Sequence, residues 1–188
     1  MAHKREDILA AATRLFASDG YHAVGVDRII AESGVAKMTF YKHFPSKNKL
    51  IVAVLDARSA AALSSLRSFV GGRSTPMKRL QAVFDWHSRW FGSADFTGCM
   101  FIAATAEFHN SQPEVSRCSS EHKRLLTGFI SEILSDLVEH RSVDRLARQT
   151  VMLLDGAVTA ALLHDRSAAA KEAWVAMQAL VTAAARPR

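Results

Sequence analysis

The chain has 188 residues, 49% of them apolar and 22% charged, with a formal net charge of +6. That apolar share is enough to bury a sizeable core, which excludes a wholly disordered polar chain. The positive balance suits an anionic partner, although net charge alone does not define one.

The opening stretch, MAHKREDILA, is charged and has no signal-peptide core. No apolar run in the sequence reaches the ~18 residues that span a bilayer, so a cytoplasmic protein with no membrane partner is expected. The first helix is predicted over residues 4–19, with Ile8, Ala12, Leu15 and Phe16 as its stripe and Gly20 as its end. His3, Lys4 and Arg5 form either a basic arm or a frayed terminus. Tyr21 is expected to cover the core, with a hydroxyl reaching phosphate as the alternative.

The next stretch, Val26 to Leu50, is the most informative in the chain. Val26, Ile29 and Ile30 give a short helical pattern, and Gly34 tolerates the left-handed backbone that ends a helix and opens a tight turn. Ala36, Phe40 and Phe44 recur four apart on one face of a second helix, which Pro45 stops. Two short helices joined by a tight turn with Gly make the helix-turn-helix pattern. From Ala36 to Lys49 there are four lysines and no acid. The outward face carries Lys37, Thr39, Tyr41, Lys42 and His43, all able to donate hydrogen bonds to phosphates or base edges. Ser46 is the expected N-cap of the fourth helix, with Lys47 and Lys49 in its first turn. The helix dipole disfavours cations there, so an anion such as a DNA phosphate is the expected partner. The alternative is a merely solvated charged face.

The fourth helix is predicted over 47–70, broken by Gly71-Gly72. The fifth begins at Thr75-Pro76, an N-cap followed by Pro at the first helical position, and closes at Gly92. A short helix, GCMFIAATAEFHN, is apolar almost all round and should be central. After Pro113 come helices over about 114–139, 143–163 and 168–185, with Ser142 and Ser167 as the expected caps of the last two. Cys99 and Cys118, the only cysteines, have no metal-ligand spacing. They are expected to be buried apolar thiols in a reducing cytosol, with a redox role as the alternative. No strand-period segment, glycine-rich phosphate loop, metal-ligand motif or nucleophile motif is present, and no cofactor or metal is expected.

The Val26–Leu50 stretch resembles the tetracycline-repressor (TetR) family of bacterial transcription regulators. The residues that carry the likeness are Gly20-Tyr21, Asp27 to Ala31, Gly34-Val35, Lys37, Thr39, and Tyr41 through Leu50 with its HFPSK core. The sequence departs from the family at Val24 and Gly25, where Thr or Ser often caps the second helix and touches phosphate. It departs again at Met38, where a small residue is common. The resemblance implies an all-α protein of about nine helices, with a three-helix DNA-binding domain (1–46) and a helical effector-binding and dimerisation domain (47–188). It implies Lys37, Met38, Thr39 and Tyr41 at the major groove and Lys42, His43, Lys47 and Lys49 on phosphates of a palindromic operator. It also implies a homodimer through the last two helices, about 143–163 and 168–185. These are rich in small apolar residues such as Leu154, Ala157, Ala161, Ala173 and Ala176.

The remaining aromatic residues fit either a helical core or a small-molecule pocket. Phe84, His87, Trp90, Phe91, Phe101, Glu107 and Phe108 are the candidate lining of an effector pocket, which the family resemblance favours. A repressor released by a small, fairly apolar effector is therefore expected. An effector-independent DNA binder, an activator, or an enzyme using the C-terminal cavity are the alternatives.

Overall fold

The computed structural model describes residues 2–109 and 111–185. Nine helices run through them: α1 (Ala2–Asp19), α2 (Val26–Ser33), α3 (Lys37–His43), α4 (Lys47–Gly71), α5 (Pro76–Phe91), α6 (Met100–Phe108), α7 (Pro113–Leu134), α8 (His140–Leu163) and α9 (Arg166–Ala184). Among the described residues the only β-type pairing is an isolated antiparallel bridge between Val138 and Ala185. The fold is all-α, as expected.

The chain divides into two compact units that are not contiguous in sequence. One comprises Met1–Ala61 and Cys99–His122, the other Ala62–Gly98 and Lys123–Arg188. Helices α4 and α7 each contribute residues to both. The expected boundary after residue 46 follows the chain, whereas the compact units follow packing, so the first takes in α6 as well as α1–α3.

The first unit is built around one apolar cluster. Ile8, Ala12, Leu15 and Phe16 of α1 meet Ile29 of α2, Phe40 of α3, Leu50, Ile51, Val54 and Leu55 of α4, and Met100, Phe101, Ala104 and Phe108 of α6. The period of the α1 residues places them on one stripe, which is why the sequence folds as an amphipathic helix there. The helix includes residues 3–5, so they are an ordered, exposed part of α1 rather than a frayed terminus. His3 lies 3.7 Å from Glu6, Lys4 lies 3.8 Å from Asp7, and the Arg5 guanidinium sits 5.3 Å from the centre of the Phe44 ring.

In the second unit α5, α8 and α9 pack together. Leu80, Val83, Phe84 and Phe91 of α5, Leu146, Leu154, Ala157 and Ala161 of α8, and Ala169, Ala173 and Met177 of α9 are buried. Small residues allow close approach, and the Thr150 Oγ1 of α8 lies 3.1 Å from the Met177 Sδ of α9. Most of the small apolar residues expected to face a second copy are thus consumed by the chain's own core. By length and composition α8 could also cross a membrane, but one face of it, from Val143 to Ala161, is buried in the second unit.

Several helix ends differ from expectation. Helix α7 stops at Leu134 rather than near 139, because Val138 leaves the helix to pair with Ala185. Helix α8 starts at His140 behind Glu139 rather than at Ser142. Helix α9 is capped by Asp165, whose carboxylate accepts the Ser167 N–H at 2.7 Å, so Ser167 is not the cap. Asp caps as well as Ser, and position alone does not choose between neighbours. Helix α6 begins at Met100 because Gly98 has φ 96° and Cys99 is extended. Its expected end at Asn110 lies outside the described residues. Both cysteines are free and half-buried rather than buried as expected, and burial pushes the Cys118 thiol up to about 11, so it stays protonated rather than reactive.

Candidate nucleic-acid interface

Gly34 ends α2 with φ 63° and ψ 23°, and its N–H donates to Ala31 O at 3.3 Å. A side chain at that φ would be strained, so Gly sets the turn. Ala36, extended, then opens α3. Phe40 and Phe44 enter the core with ring centres 6.3 Å apart and fix the rotation of α3. The opposite face is left outward. Met38 is 81% exposed and Tyr41 41% exposed, Lys37 and Lys42 are exposed, and Thr39 and His43 are half-buried. Helix α3 carries no carboxylate. The lysine Nζ of Lys37 lies 3.4 Å from Asp27, with both side chains exposed, a contact worth little in water.

The residues flanking α3 are less free. Lys49 N–H donates to Ser46 Oγ at 3.2 Å, which is the expected cap of α4. The Lys49 ammonium, however, is held by both Glu114 oxygens, at 2.8 and 3.0 Å, and Lys49 keeps that carboxyl below the usual carboxylate range. The anion that Lys49 was expected to seek is thus supplied from within the protein. Lys47 is half-buried, with its Nζ 3.4 Å from His22 O, and desolvation lowers its pKa. At the start of α2, Gly25 makes no side-chain cap and Val24 is buried, so neither supplies a hydroxyl.

Tyr21 does not reach solvent. Its hydroxyl donates to Met100 O at 2.9 Å, and its ring lies between Phe16 (5.1 Å) and Phe108 (5.7 Å), which rules out the phosphate alternative. Glu107 completes this node by accepting the Tyr21 N–H at 2.9 Å and the His22 N–H at 2.6 Å. It also closes over Gly20, where an added Cβ would lie 3.0 Å from Glu107 Oε1. Sequence reasoning missed this role, because backbone N–H groups 85 and 86 residues away leave no pattern in a sequence.

The candidate effector residues fall into separate groups. Phe101, Glu107 and Phe108 belong to the first unit. There Phe101 stacks on His122 at 3.7 Å, Phe108 packs on Tyr21 and His22, and both Glu107 oxygens already accept hydrogen bonds. Phe84, His87, Trp90 and Phe91 belong to the second. His87 lies 6.1 Å from both Trp90 and Phe91, and Phe84 lies 5.5 Å from Trp174. His87 Nδ1 is 2.8 Å from Val83 O, and burial drives its pKa down to about 4, helped by the Lys123 charge. Lys123 is paired with Asp155.

With this geometry in place, the similarity to known proteins decides the family. The family model "Bacterial regulatory proteins, tetR family" matches residues 8–54, the α1–α4 segment that carries the helix-turn-helix. The model "Tetracyclin repressor-like, C-terminal domain" matches residues 76–177. The chain belongs to the TetR family. This TetR-family chain is therefore a DNA-binding transcriptional regulator rather than an enzyme. It is 35% identical over 122 residues to the HTH-type transcriptional regulator LmrA of Bacillus subtilis, covering 63% of this chain and 65% of that one. It is 35% identical over 82 residues to the HTH-type transcriptional activator FasR of Mycolicibacterium smegmatis, covering 44% of this chain and 37% of that protein. These two matches therefore span less than two thirds of the relatives' lengths. In structure it is similar to SCO4454, a TetR-family regulator from Streptomyces coelicolor, with a TM-score of 0.91 and 28% identity over 99% of this chain and 98% of the other.

Proposed function

We propose that this TetR-family chain is a cytoplasmic homodimeric repressor that reads a palindromic operator with α3 and releases it when a small, fairly apolar effector binds. The observation that carries the DNA-reading part is the outward face of α3: Lys37, Met38, Tyr41 and Lys42 exposed, no carboxylate on the helix, and Phe40 and Phe44 locking its rotation. Lys37, Met38, Thr39 and Tyr41 face base edges, and Lys42, His43 and Lys47 hold phosphates. An exposed Met38 offers an apolar contact suited to a thymine methyl.

Two copies place two recognition helices about 34 Å apart on one palindrome. Met152 (71% exposed), Leu162, Leu163 and Val175 on α8 and α9 support a self-contact there, since they are the large apolar side chains these helices leave uncovered. His87, Trp90, Phe91 and Phe84 support an effector site of aromatic walls with one polar group. An effector must bind the released state better than the DNA-bound one, or it shifts nothing. Helix α4, capped by Ser46 beside the reading helix and continuing into the second unit, is the continuous element through which it would act. The similarity to an activator supports activation as a second reading, because the sign of control depends on where the operator lies.

Selection from random DNA duplexes at two salt concentrations tests the operator. A recovered palindrome is expected, and strong binding without any motif would leave only a non-specific DNA binder. Changing Lys37 to alanine should alter preference at one base pair per half-site by roughly 1–3 kcal/mol. A uniform loss across all sequences would make Lys37 a backbone contact instead. Changing Lys42 to glutamine should weaken all sequences alike and reduce the slope of log affinity against log salt by about one unit per protomer. An unchanged slope would remove Lys42 from the phosphate set.

A further inference from the structure

The second compact unit carries a cleft of about 220 Å³ lined by the end of α4, the start of α5 and the end of α7. Arg67, Arg73 and Arg79 converge on it, and Val70, Phe129 and Ile133 give it an apolar floor. It shares no residue with the aromatic group around His87.

The cleft's positive charge is only partly answered. Glu132 is its one carboxylate and pairs with Arg67 at 3.2 Å, and Asp136 takes one arm of Arg79 at 3.5 Å. Arg73 has no ion-pair partner among the described residues and lies 5.0 Å from the centre of the Phe69 ring. The Arg67 guanidinium lies 4.5 Å from the Phe129 ring centre. A guanidinium stacked on a ring keeps its in-plane N–H edge for planar acceptors.

Two further features call for an anion. The Nε of Arg79 is buried with no hydrogen-bond acceptor. A buried N–H of a charged group is costly to leave unmade, while the rest of the Arg79 side chain is 36% exposed and open to the cleft. Arg79 also stands one residue after Lys78 at the start of α5, whose first turn has no acidic residue. The positive end of a helix dipole faces that turn, so two cations there are unfavourable until an anion arrives.

We propose that this cleft binds a small organic carboxylate, its oxyanion held by Arg79 and Arg73 and its apolar body laid on Val70, Phe129 and Ile133. The volume is too small for a drug-sized ligand, for which pockets of about 300–1,000 Å³ are usual. A bare inorganic oxyanion would leave the apolar floor wet. The bidentate geometry of a carboxylate matches the guanidinium edge.

The test titrates the full chain, without DNA, with sodium benzoate and separately with sodium phosphate. Chloride holds the ionic strength constant, and calorimetry and the Tm are read. Saturable benzoate binding with a rising Tm is expected. Arg79→Gln should weaken it about tenfold. Glu132→Gln, which releases Arg67 from its internal partner, should tighten it several-fold, a gain that a folding defect cannot produce. No saturable benzoate binding would overturn the proposal. Benzoate binding that neither variant changes would overturn it too, since the ligand would then sit elsewhere. Phosphate binding more tightly than benzoate would overturn the organic-carboxylate assignment. None of these outcomes touches the reading of α3, which is tested on DNA.

Discussion

Replacing Tyr21 with alanine should cost about 3–5 kcal/mol of stability, the range for deleting a large buried aromatic side chain. Tyr21 is fully buried between Phe16 and Phe108, so its ring closes the core of the first unit from the α1–α2 turn. Its hydroxyl is the donor to Met100 O at 2.9 Å. Truncation therefore removes the packing and the hydrogen bond together and leaves a cavity beneath α6. Tyr21→Phe separates the two contributions and should cost only about 1 kcal/mol, the net worth of one neutral hydrogen bond. Glu107→Ala should fall between, because it strands two backbone N–H groups, those of Tyr21 and His22. Urea unfolding of the three variants measures all of this. A loss below about 1 kcal/mol for Tyr21→Ala would mean that the turn is not packed as described.

Stability should also fall steeply in mild acid because of His87. Its side chain is 6% exposed, and burial, reinforced by Lys123, holds its pKa near 4 in the folded protein against an ordinary value of 6.5. Between those two values the unfolded chain binds the proton and the folded chain does not. Acid therefore favours unfolding, and stability rises with pH across this window. The contribution is fully present above the unfolded value and is lost as pH drops from about 6.5 toward 4. Between pH 8 and pH 5 the loss should be about 2 kcal/mol. The carboxyls whose pKa values are lowered, those of Asp19, Glu114 and Asp165, start from ordinary values of 3.8, 4.5 and 3.8, so they act mainly below pH 5, beneath the range measured. Unfolding midpoints at pH 8, 6.5 and 5 read the slope, and His87→Leu should flatten it. A slope that persists in His87→Leu would place the sensitive group elsewhere.

The elements that the sequence made legible are those with strong local signals. Gly34 and Pro45 punctuate α2 and α3, Thr75-Pro76 opens α5, and the Ile8–Phe16 stripe sets α1, all through backbone preferences or helical periodicity. The apolar period of α7 continues through Leu137, whereas the helix ends at Leu134 and Val138 pairs with Ala185. Charge was legible as sign but not as partnership. The Lys49 ammonium looked available and is held by Glu114, and Glu107 looked like a pocket acid but carries the Tyr21 turn. The arginine cleft was invisible for a related reason. Arg67, Arg73 and Arg79 sit on either side of the Gly71-Gly72 break and follow no single helical period, so only folding gathers them.

Because Tyr21 is anchored by residues some eighty positions downstream, the order of synthesis matters. A ribosome that has produced α1 to α4 has made the whole helix-turn-helix, yet not the α6 side chains that seal its core. The nascent head must wait, apolar surface uncovered, until the stretch through His122 has emerged. For the same reason it is not a detachable cassette. A graft ending at residue 61 would leave the Tyr21 and His22 amides without Glu107, so a chimera meant to carry this DNA specificity has to bring residues 99–122 along with it.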